Sequence, residues 1–283
     1  MDTKIKGKDA RGIVIAVPKK YEKICLSNIL NLRQQNCLLP IEIWEVGSEI
    51  SPAVRDEFAK IENLSFKNVD DYCDNSKHWK GFQIKAFILY HTTFNEVILC
   101  DSDVIIHQNP NLLFEDKQYI DTGTYFFKDL EKWKFTKLNN IWVQLYQKIS
   151  YNKFTNVSFF LKRKKWLRSL LPGKSQFFPI EWDYIYLNEL PVKPVKEALQ
   201  ESGVVLMNKA KHKDSIQNIY DLNNNHLETY KYIWGDKETF WIGCVMANKA
   251  FYFNPTSGYM SSQTGNLTHD YNEKIFFSQK GSL

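Results

Sequence analysis

The sequence predicts an α/β fold on a mostly parallel central sheet flanked by helices. Two observations carry this: short, continuous, β-branched apolar runs, which suit strands buried on both faces, and segments of helical period placed between them across residues 12–105. Composition agrees. With 43% hydrophobic and 15% aromatic residues, the chain holds more apolar surface than a disordered protein leaves in water. Its 12 Gly and 9 Pro are too few for collagen-like or low-complexity classes.

The first run, Gly12-Ile-Val-Ile-Ala-Val-Pro18, reads as a buried strand. Tyr21 to Gln35 follows as a helix, with Ile24, Ile29, Leu30 and Leu32 near helical spacing, and Leu39 to Val46 is a second strand ending at Gly47. These three segments make a βαβ unit. Ser51 is the candidate cap of the next helix, with Pro52 at its first position. Trp79 to Phe94 reads as a further helix and Glu96 to Cys100 as a strand. Beyond residue 105 the pattern changes. Strands at Thr122–Phe127 and Ser202–Met207 are separated by a long, aromatic-rich insertion, expected to be helical, that contains Trp133, Trp142, Trp166 and Trp182. Neither a repeat nor a linker interrupts residues 1–283, which are read as one domain.

Thirty-seven Lys and Arg against 32 Asp and Glu give a formal charge of +5, too weak for a nucleic-acid binder and suited to small anions. The five cysteines are scattered without a Cys-x-x-Cys pair, which argues for free, mostly buried thiols rather than a zinc ribbon or a disulfide framework. The amino terminus is polar and no stretch approaches the roughly 18 apolar residues of a membrane span, so a soluble chain is expected. Sequons at Asn63, Asn156 and Asn266 matter only in a secreted protein.

The chemistry concentrates in Glu96-Val-Ile-Leu-Cys-Asp-Ser-Asp-Val-Ile-Ile106, where an apolar strand runs into Asp101-Ser102-Asp103. Alternation along an extended chain would put both carboxylates on one face, able to address one hard divalent cation while leaving positions for phosphate. A metal-held diphosphate as leaving group points to transfer of a sugar from a nucleotide sugar. Both acids are expected to be ligands with no part in the core, so that Asp→Asn exchange at either should leave the melting temperature nearly unchanged.

The chain resembles the GT-A glycosyltransferases, and within them the fungal α-1,3-mannosyltransferases of glycosyltransferase family 71. The segments that carry the resemblance are Leu39 to Trp44, Phe94 to Asp103, Thr122 to Asp129, Glu201 to Lys209 and Gly235 to Trp241. They span residues 12–260, with the middle insertion matching poorly. The resemblance implies a nucleotide-binding half at 12–105 and a sugar- and acceptor-binding half at 106–283. It also implies Mn²⁺ or Mg²⁺, a GDP-mannose donor (a UDP-sugar being the alternative), and a glycan or glycoprotein acceptor.

By the same resemblance, Ala16, Val17, Pro18 and Tyr21 would line the base and ribose, Lys85 would meet phosphate or ribose, and Ser102 would lie against the nucleotide. Thr122-Gly123 and Ser202-Gly203 look like strand ends where small residues admit a ligand, with Glu201 free to accept hydrogen bonds from sugar hydroxyls. Asp236 and Glu238 would bind hydroxyls, with Lys237 near the reacting face. His269 would be a third metal ligand beside Asp101 and Asp103. The run Lys162 to Arg168 could hold the acceptor, and Trp133, Trp182 and Trp234 border the cleft. An α-linked donor giving an α product implies retention, by front-face displacement or through a covalent intermediate on Glu201 or Asp236. A non-catalytic glycan-binding module on the same fold is the competing reading. The fungal relatives are Golgi enzymes with an anchor; the chain as given suggests the cytosol, and an excised catalytic domain would suggest the Golgi lumen.

Overall fold

The computed structural model describes residues 10–130, 200–230 and 235–280. The aromatic insertion, the basic run Lys162 to Arg168, Asn156, Trp133, Trp142, Trp166, Trp182 and Trp234 lie outside them.

The chain opens with β1 (Arg11–Ala16), α1 (Glu22–Gln34), β2 (Ile41–Glu45), α2 (Pro52–Ala59) and β3 (Leu64–Asn68). Then come α3 (Ile84–His91), β4 (Glu96–Asp101) and the short β5 (Ile105–Ile106). Two short helices, α4 (Asn111–Phe114) and α5 (Lys117–Thr122), lead into β6 (Thr124–Leu130). After the insertion come β7 (Gln200–Asn208), α6 (Lys213–Asn224), α7 (His226–Thr229), α8 (Thr239–Met246), β8 (Phe253–Met260), β9 (Asn266–Tyr271) and β10 (Lys274–Lys280).

One sheet runs in the order β3-β2-β1-β4-β7-β6-β8-β9-β10-β5. From β3 to β4 it is parallel, as the continuous apolar runs require; Ile13 and Val14 of β1 and Ile98 and Leu99 of β4 have no exposure at all. Beyond β4 the sheet is mixed. Strand β7 is antiparallel to both β4 and β6, β6 and β8 are parallel, and β8, β9, β10 and β5 alternate in direction. The expected α/β architecture holds, with the parallel part confined chiefly to the first half.

The two faces carry two cores. Helices α1 and α2 with the β9–β10 hairpin cover one, built on Ile13, Ile43, Phe58, Ile98, Phe127 and Phe277. Helices α3, α6 and α8 cover the other, built on Trp44, Phe87, Leu99, Val205, Ile219 and Phe240.

Several local expectations shift. The buried stripe of α1 is Cys25, Ile29 and Leu32, one turn apart, which leaves Ile24 and Leu30 each 47% exposed. Ser51 does not cap α2 through its side chain; its N–H and Oγ both donate to Glu22, at 2.7 and 2.8 Å, while Pro52 starts the helix as expected. The helix expected from Trp79 begins only at Ile84, after a separate 3₁₀ turn at Ser76–Trp79. Thr122 ends a helix rather than starting a strand, and Gly123 closes it with φ 80°, the left-handed cap that glycine adopts without strain. All five cysteines are free, Cys73 partly exposed and the others buried, as read from their spacing. Among the described residues no helix is long and apolar enough to cross a membrane.

Candidate active site

Strand β4 ends at Asp101, whose side chain follows Val97 and Leu99 onto the face covered by α3. The strand does not continue through Asp103. Ser102 and Asp103 form a turn in which the Val104 N–H donates to the Asp101 carbonyl at 3.2 Å, so a turn and not strand alternation brings the two acids to this edge. The Ser102 carbonyl accepts from Asn28 of α1 at 3.4 Å.

Lys85, on the first turn of α3, points its ammonium at this strand end. It lies 2.8 Å from Asp101 Oδ1 and 3.1 Å from Asp236 Oδ2, and it donates to Ser202 Oγ at 2.9 Å and to the Ser202 carbonyl at 3.2 Å. Ser202 Oγ in turn donates to Asp236 Oδ2 at 3.0 Å. Burial alone would drive the Lys85 ammonium toward neutrality, but Asp101 and Asp236 outweigh it and hold the pKa above the usual lysine range.

A second ammonium organises the neighbouring acids. Lys237, in the turn before α8, donates to Glu201 Oε2 at 2.7 Å and to Asp129 Oδ2 at 2.8 Å. Glu201 is 1% exposed, and its other oxygen accepts the Gly203 N–H at 2.8 Å. Burial would raise its pKa, but the charge and hydrogen bond of Lys237 prevail and lower it to about 2. Glu201 is therefore ionised with both oxygens engaged, not free to receive sugar hydroxyls as expected. Asp129, buried on β6, goes the other way: burial and the Glu201 charge raise it despite Lys237.

Glu238 accepts from Trp241 Nε1 at 2.6 Å through Oε2, while Oε1 is buried without a hydrogen-bond partner among the described residues. Burial, opposed by Trp241 and Lys237, pushes its carboxyl up to about 8, so it is protonated at neutral pH.

Around this strand end the carboxylates of Asp101, Asp129, Glu201 and Asp236 are bonded by two ammonium groups, Lys85 and Lys237, while Asp103 only feels the charges of Lys85 and Lys20. Burial lifts Asp101 to about 6 even against Lys85, and raises Asp103 as well. Ionised carboxylates here are under-compensated, which is the condition a bound divalent cation relieves. The oxygen donors of Asp101 and Asp103 fit Mn²⁺ or Mg²⁺ as a pair that leaves the remaining positions to phosphate and water. No third side chain joins them: among the described residues no three His, Cys, Asp or Glu groups converge on one metal position. His269 is on β9, 1% exposed, with Nε2 bonded to the Lys128 carbonyl at 3.0 Å and its ring stacked on Phe277 at 4.4 Å. Its charged neighbours are Glu201, Lys237 and Asp270 rather than Asp101 or Asp103. In this structure the hairpin packs His269 into the sheet, its Nδ1 buried without a hydrogen-bond partner among the described residues, and it does not converge with Asp101 and Asp103.

The expected base-side residues lie at the same edge. Ala16 is in register with Asp101 across β1 and β4. Val17 is buried and its N–H donates to the Trp44 carbonyl at 2.8 Å, which leaves Pro18 and the half-buried Tyr21 nearer the surface. Ser202 is on β7 beside Lys85. Gly203 is one residue further, but the space a side chain would take there is filled by the Gln279 amide and not open to a ligand.

Thr122 and Gly123 are at the wrong edge. Thr124 pairs with Met207, and Met207 with Val97, so the start of β6 is level with the start of β4, about 13 Å from Asp101 at the usual rise per residue. Their neighbours are His212, whose Nε2 bonds the Thr122 carbonyl at 2.7 Å, and Lys211. Asp129 is a further buried carboxylate of the site, with no role expected from the sequence; the signal for it is a lone acid near the end of the aromatic strand Tyr125-Phe-Phe.

MNN15 of Candida albicans is 26% identical over 317 residues, covering 96% of this chain and 38% of that protein. The alpha-1,3-mannosyltransferase MNT3 of Saccharomyces cerevisiae is 23% identical over 256 residues, covering 88% of this chain and 39% of that protein. The chain thus spans about two fifths of the length of these relatives. Among solved structures, the mannosyltransferase Ktr4p from S. cerevisiae in complex with GDP is similar, with TM-score 0.47 and 11% identity over 92% of this chain and 72% of that one. A galactosyltransferase, LgtC, in complex with donor and acceptor sugar analogs, has TM-score 0.47 and 14% identity over 85% of this chain and 72% of that one. A family model for mannosyltransferases, Mannosyl_trans3, matches residues 10–280, from the start of β1 to the end of β10, and the chain belongs to that family.

Proposed function

We propose that this chain transfers mannose from GDP-mannose to a glycan hydroxyl with retention of configuration, using a divalent cation at Asp101 and Asp103. The observation that carries the reading is the under-compensated acid pair at the carboxyl end of β4, flanked by Lys85 and Ser202, in a chain of the mannosyltransferase family. When bound, the cation would neutralise charge developing on the diphosphate.

The protein's own residues supply position. Lys85 orients Asp101 and Asp236, while Lys237 holds Glu201 and Asp129 as a buried anionic floor. Glu201 has both oxygens engaged, and Asp236 Oδ2 is held by Ser202 and Lys85. Glu201, so committed, is a poor covalent nucleophile, and Asp236 has one of its oxygens tied up, which favours front-face displacement. The bond from the anomeric carbon to the diphosphate oxygen breaks, the bond to the acceptor oxygen forms on the same face, and the acceptor's proton passes to the departing phosphate.

The test is a thermal-shift series with GDP-mannose, UDP-glucose, UDP-galactose and UDP-GlcNAc, each with and without Mn²⁺. Ligand at about 100-fold over its Kd stabilises by about 2.7 kcal/mol. A Mn²⁺-dependent rise confined to GDP-mannose is expected. A rise confined to a UDP-sugar would overturn the donor, and no rise with any of them would favour the glycan-binding module.

A further inference from the structure

Gly203 lies one residue along β7 from Ser202, whose hydroxyl and carbonyl bond Lys85. A Cβ built on Gly203 would come within 2.6 Å of Gln279 Oε1 and 3.3 Å of Glu201 Oε1. The terminal amide of Gln279 is thus laid against the backbone of the candidate site, beside the Glu201 carboxylate. Its strand is firmly placed: on β10, Ser278 Oγ bonds His107 Nε2 at 2.8 Å, and Phe277, two residues before Gln279, is fully buried. The Gln279 side chain is only partly buried, and its amide makes no hydrogen bond to another described residue. An amide held on a rigid strand, beside a buried ionised carboxylate and without a hydrogen-bond partner among the described residues, offers its donor and acceptor to a ligand. The hydroxyl-reading role expected of Glu201 cannot fall to Glu201, which is buried and committed to Lys237 and Gly203.

Resting on the transferase reading above, we infer that Gln279 is a specificity-determining residue that hydrogen-bonds a hydroxyl of the transferred hexose. Its amide N–H₂ donates to the hydroxyl oxygen and its carbonyl accepts the hydroxyl proton, a pairing that Glu201, an acceptor only, cannot make. A glycine at 203 then serves to leave room for this amide; a methyl group added there displaces the flexible end of Gln279 and presses on Glu201 Oε1 at 3.3 Å, which must give by a few tenths of an ångström.

The experiment measures kcat/KM for wild type, Gln279→Leu and Gly203→Ala with the donor found to turn over and with its 2-, 3-, 4- and 6-deoxy analogues, alongside melting temperatures. About a tenfold loss is expected for Gln279→Leu with the intact donor, from one or two hydrogen bonds. Gly203→Ala, which displaces the amide without removing it, should show a similar loss, with both melting temperatures near wild type. With one deoxy donor the difference between wild type and Gln279→Leu should vanish, because the hydroxyl being read is gone. An unchanged kcat/KM in Gln279→Leu, or an equal loss on every deoxy donor, would overturn the assignment alone. A wild-type protein inert toward every nucleotide sugar would overturn the transferase reading and the assignment with it.

Discussion

Asp101 is ion-paired to the buried ammonium of Lys85, whereas Asp103 sits on the turn beyond the strand and makes no such pair. Their Asp→Asn exchanges should therefore differ in stability while agreeing in function. Both should abolish metal-dependent transfer. Asp103→Asn should leave the melting temperature within a degree or so of wild type, whereas Asp101→Asn removes one of two carboxylates from Lys85 and should cost about 1–3 kcal/mol by denaturant titration. Because Asp101 titrates near 6, protons compete with the cation, and Mn²⁺ affinity should rise as pH increases through that value. Isothermal titration at pH 5 and pH 7 checks this; equal affinities would remove Asp101 from the ligand set. Glu238 titrates as well. Its folded pKa of about 8 lies above the 4.5 of a free glutamate, so the folded state binds the extra proton and stability falls as pH rises between those values. Glu238→Gln, neutral at every pH, should flatten that decline and melt above wild type at pH 8.5. A steeper decline in the variant would show that Glu238 is ionised in the fold.

At the scale of the element, Lys237 joins three pieces of secondary structure that are distant in sequence. From the turn before α8 it reaches Asp129 on β6 and Glu201 on β7. Lys237→Met would leave two buried carboxylates facing each other and should cost about 3–5 kcal/mol at pH 7, since a broken buried pair leaves uncompensated charge. The direction of the pH dependence is diagnostic. In wild type, Glu201 titrates near 2, so its contribution is present above about 4.5 and lost as pH falls toward 2. In the variant Glu201 should titrate high, making the protein more stable at pH 5 than at pH 7. Urea titrations at the two values test the pairing; a variant with wild-type pH dependence would mean that Lys237 does not carry it.

Across the whole molecule, the carboxyl-terminal hairpin closes the fold rather than trailing from it. Strand β10 pairs with β5, immediately after the Asp101–Asp103 turn, and the His107 N–H donates to the Phe276 carbonyl at 2.7 Å. Phe276 and Phe277 are fully buried against Phe127, which lies two residues before Asp129. Phe277→Ala should cost about 3–5 kcal/mol in unfolding free energy, as for large-to-small changes in a close-packed core. A cost below about 1 kcal/mol would show that the hairpin is a dispensable appendage.

Strands β1 and β4 were legible from sequence because each is buried on both faces, so its apolar run is continuous and needs no knowledge of its neighbours, whereas the edge strand β3, with Ser65 exposed, carries no such run. Asp101 and Asp103 were legible for the same reason: a charged pair directly after such a run has to stand at a sheet edge. Lys85, Ser202 and Asp236, which lie in separate segments of the sequence, do meet there. Other positions depended on strand direction. Inserting β7 antiparallel between β4 and β6 put Thr122-Gly123 at the far edge and Asp129 at the near one, a reversal that hydrophobic period cannot express. His269 and Gln279 lie on strands whose alternation is polar enough to read as a tail, and only pairing β9 with β10 and β10 with β5 buried the first and set the second beside Gly203. Local burial demand, which each segment carries in its own residues, was set by the sequence itself; register and strand direction, which depend on contacts between segments far apart in the chain, were decided by the tertiary structure.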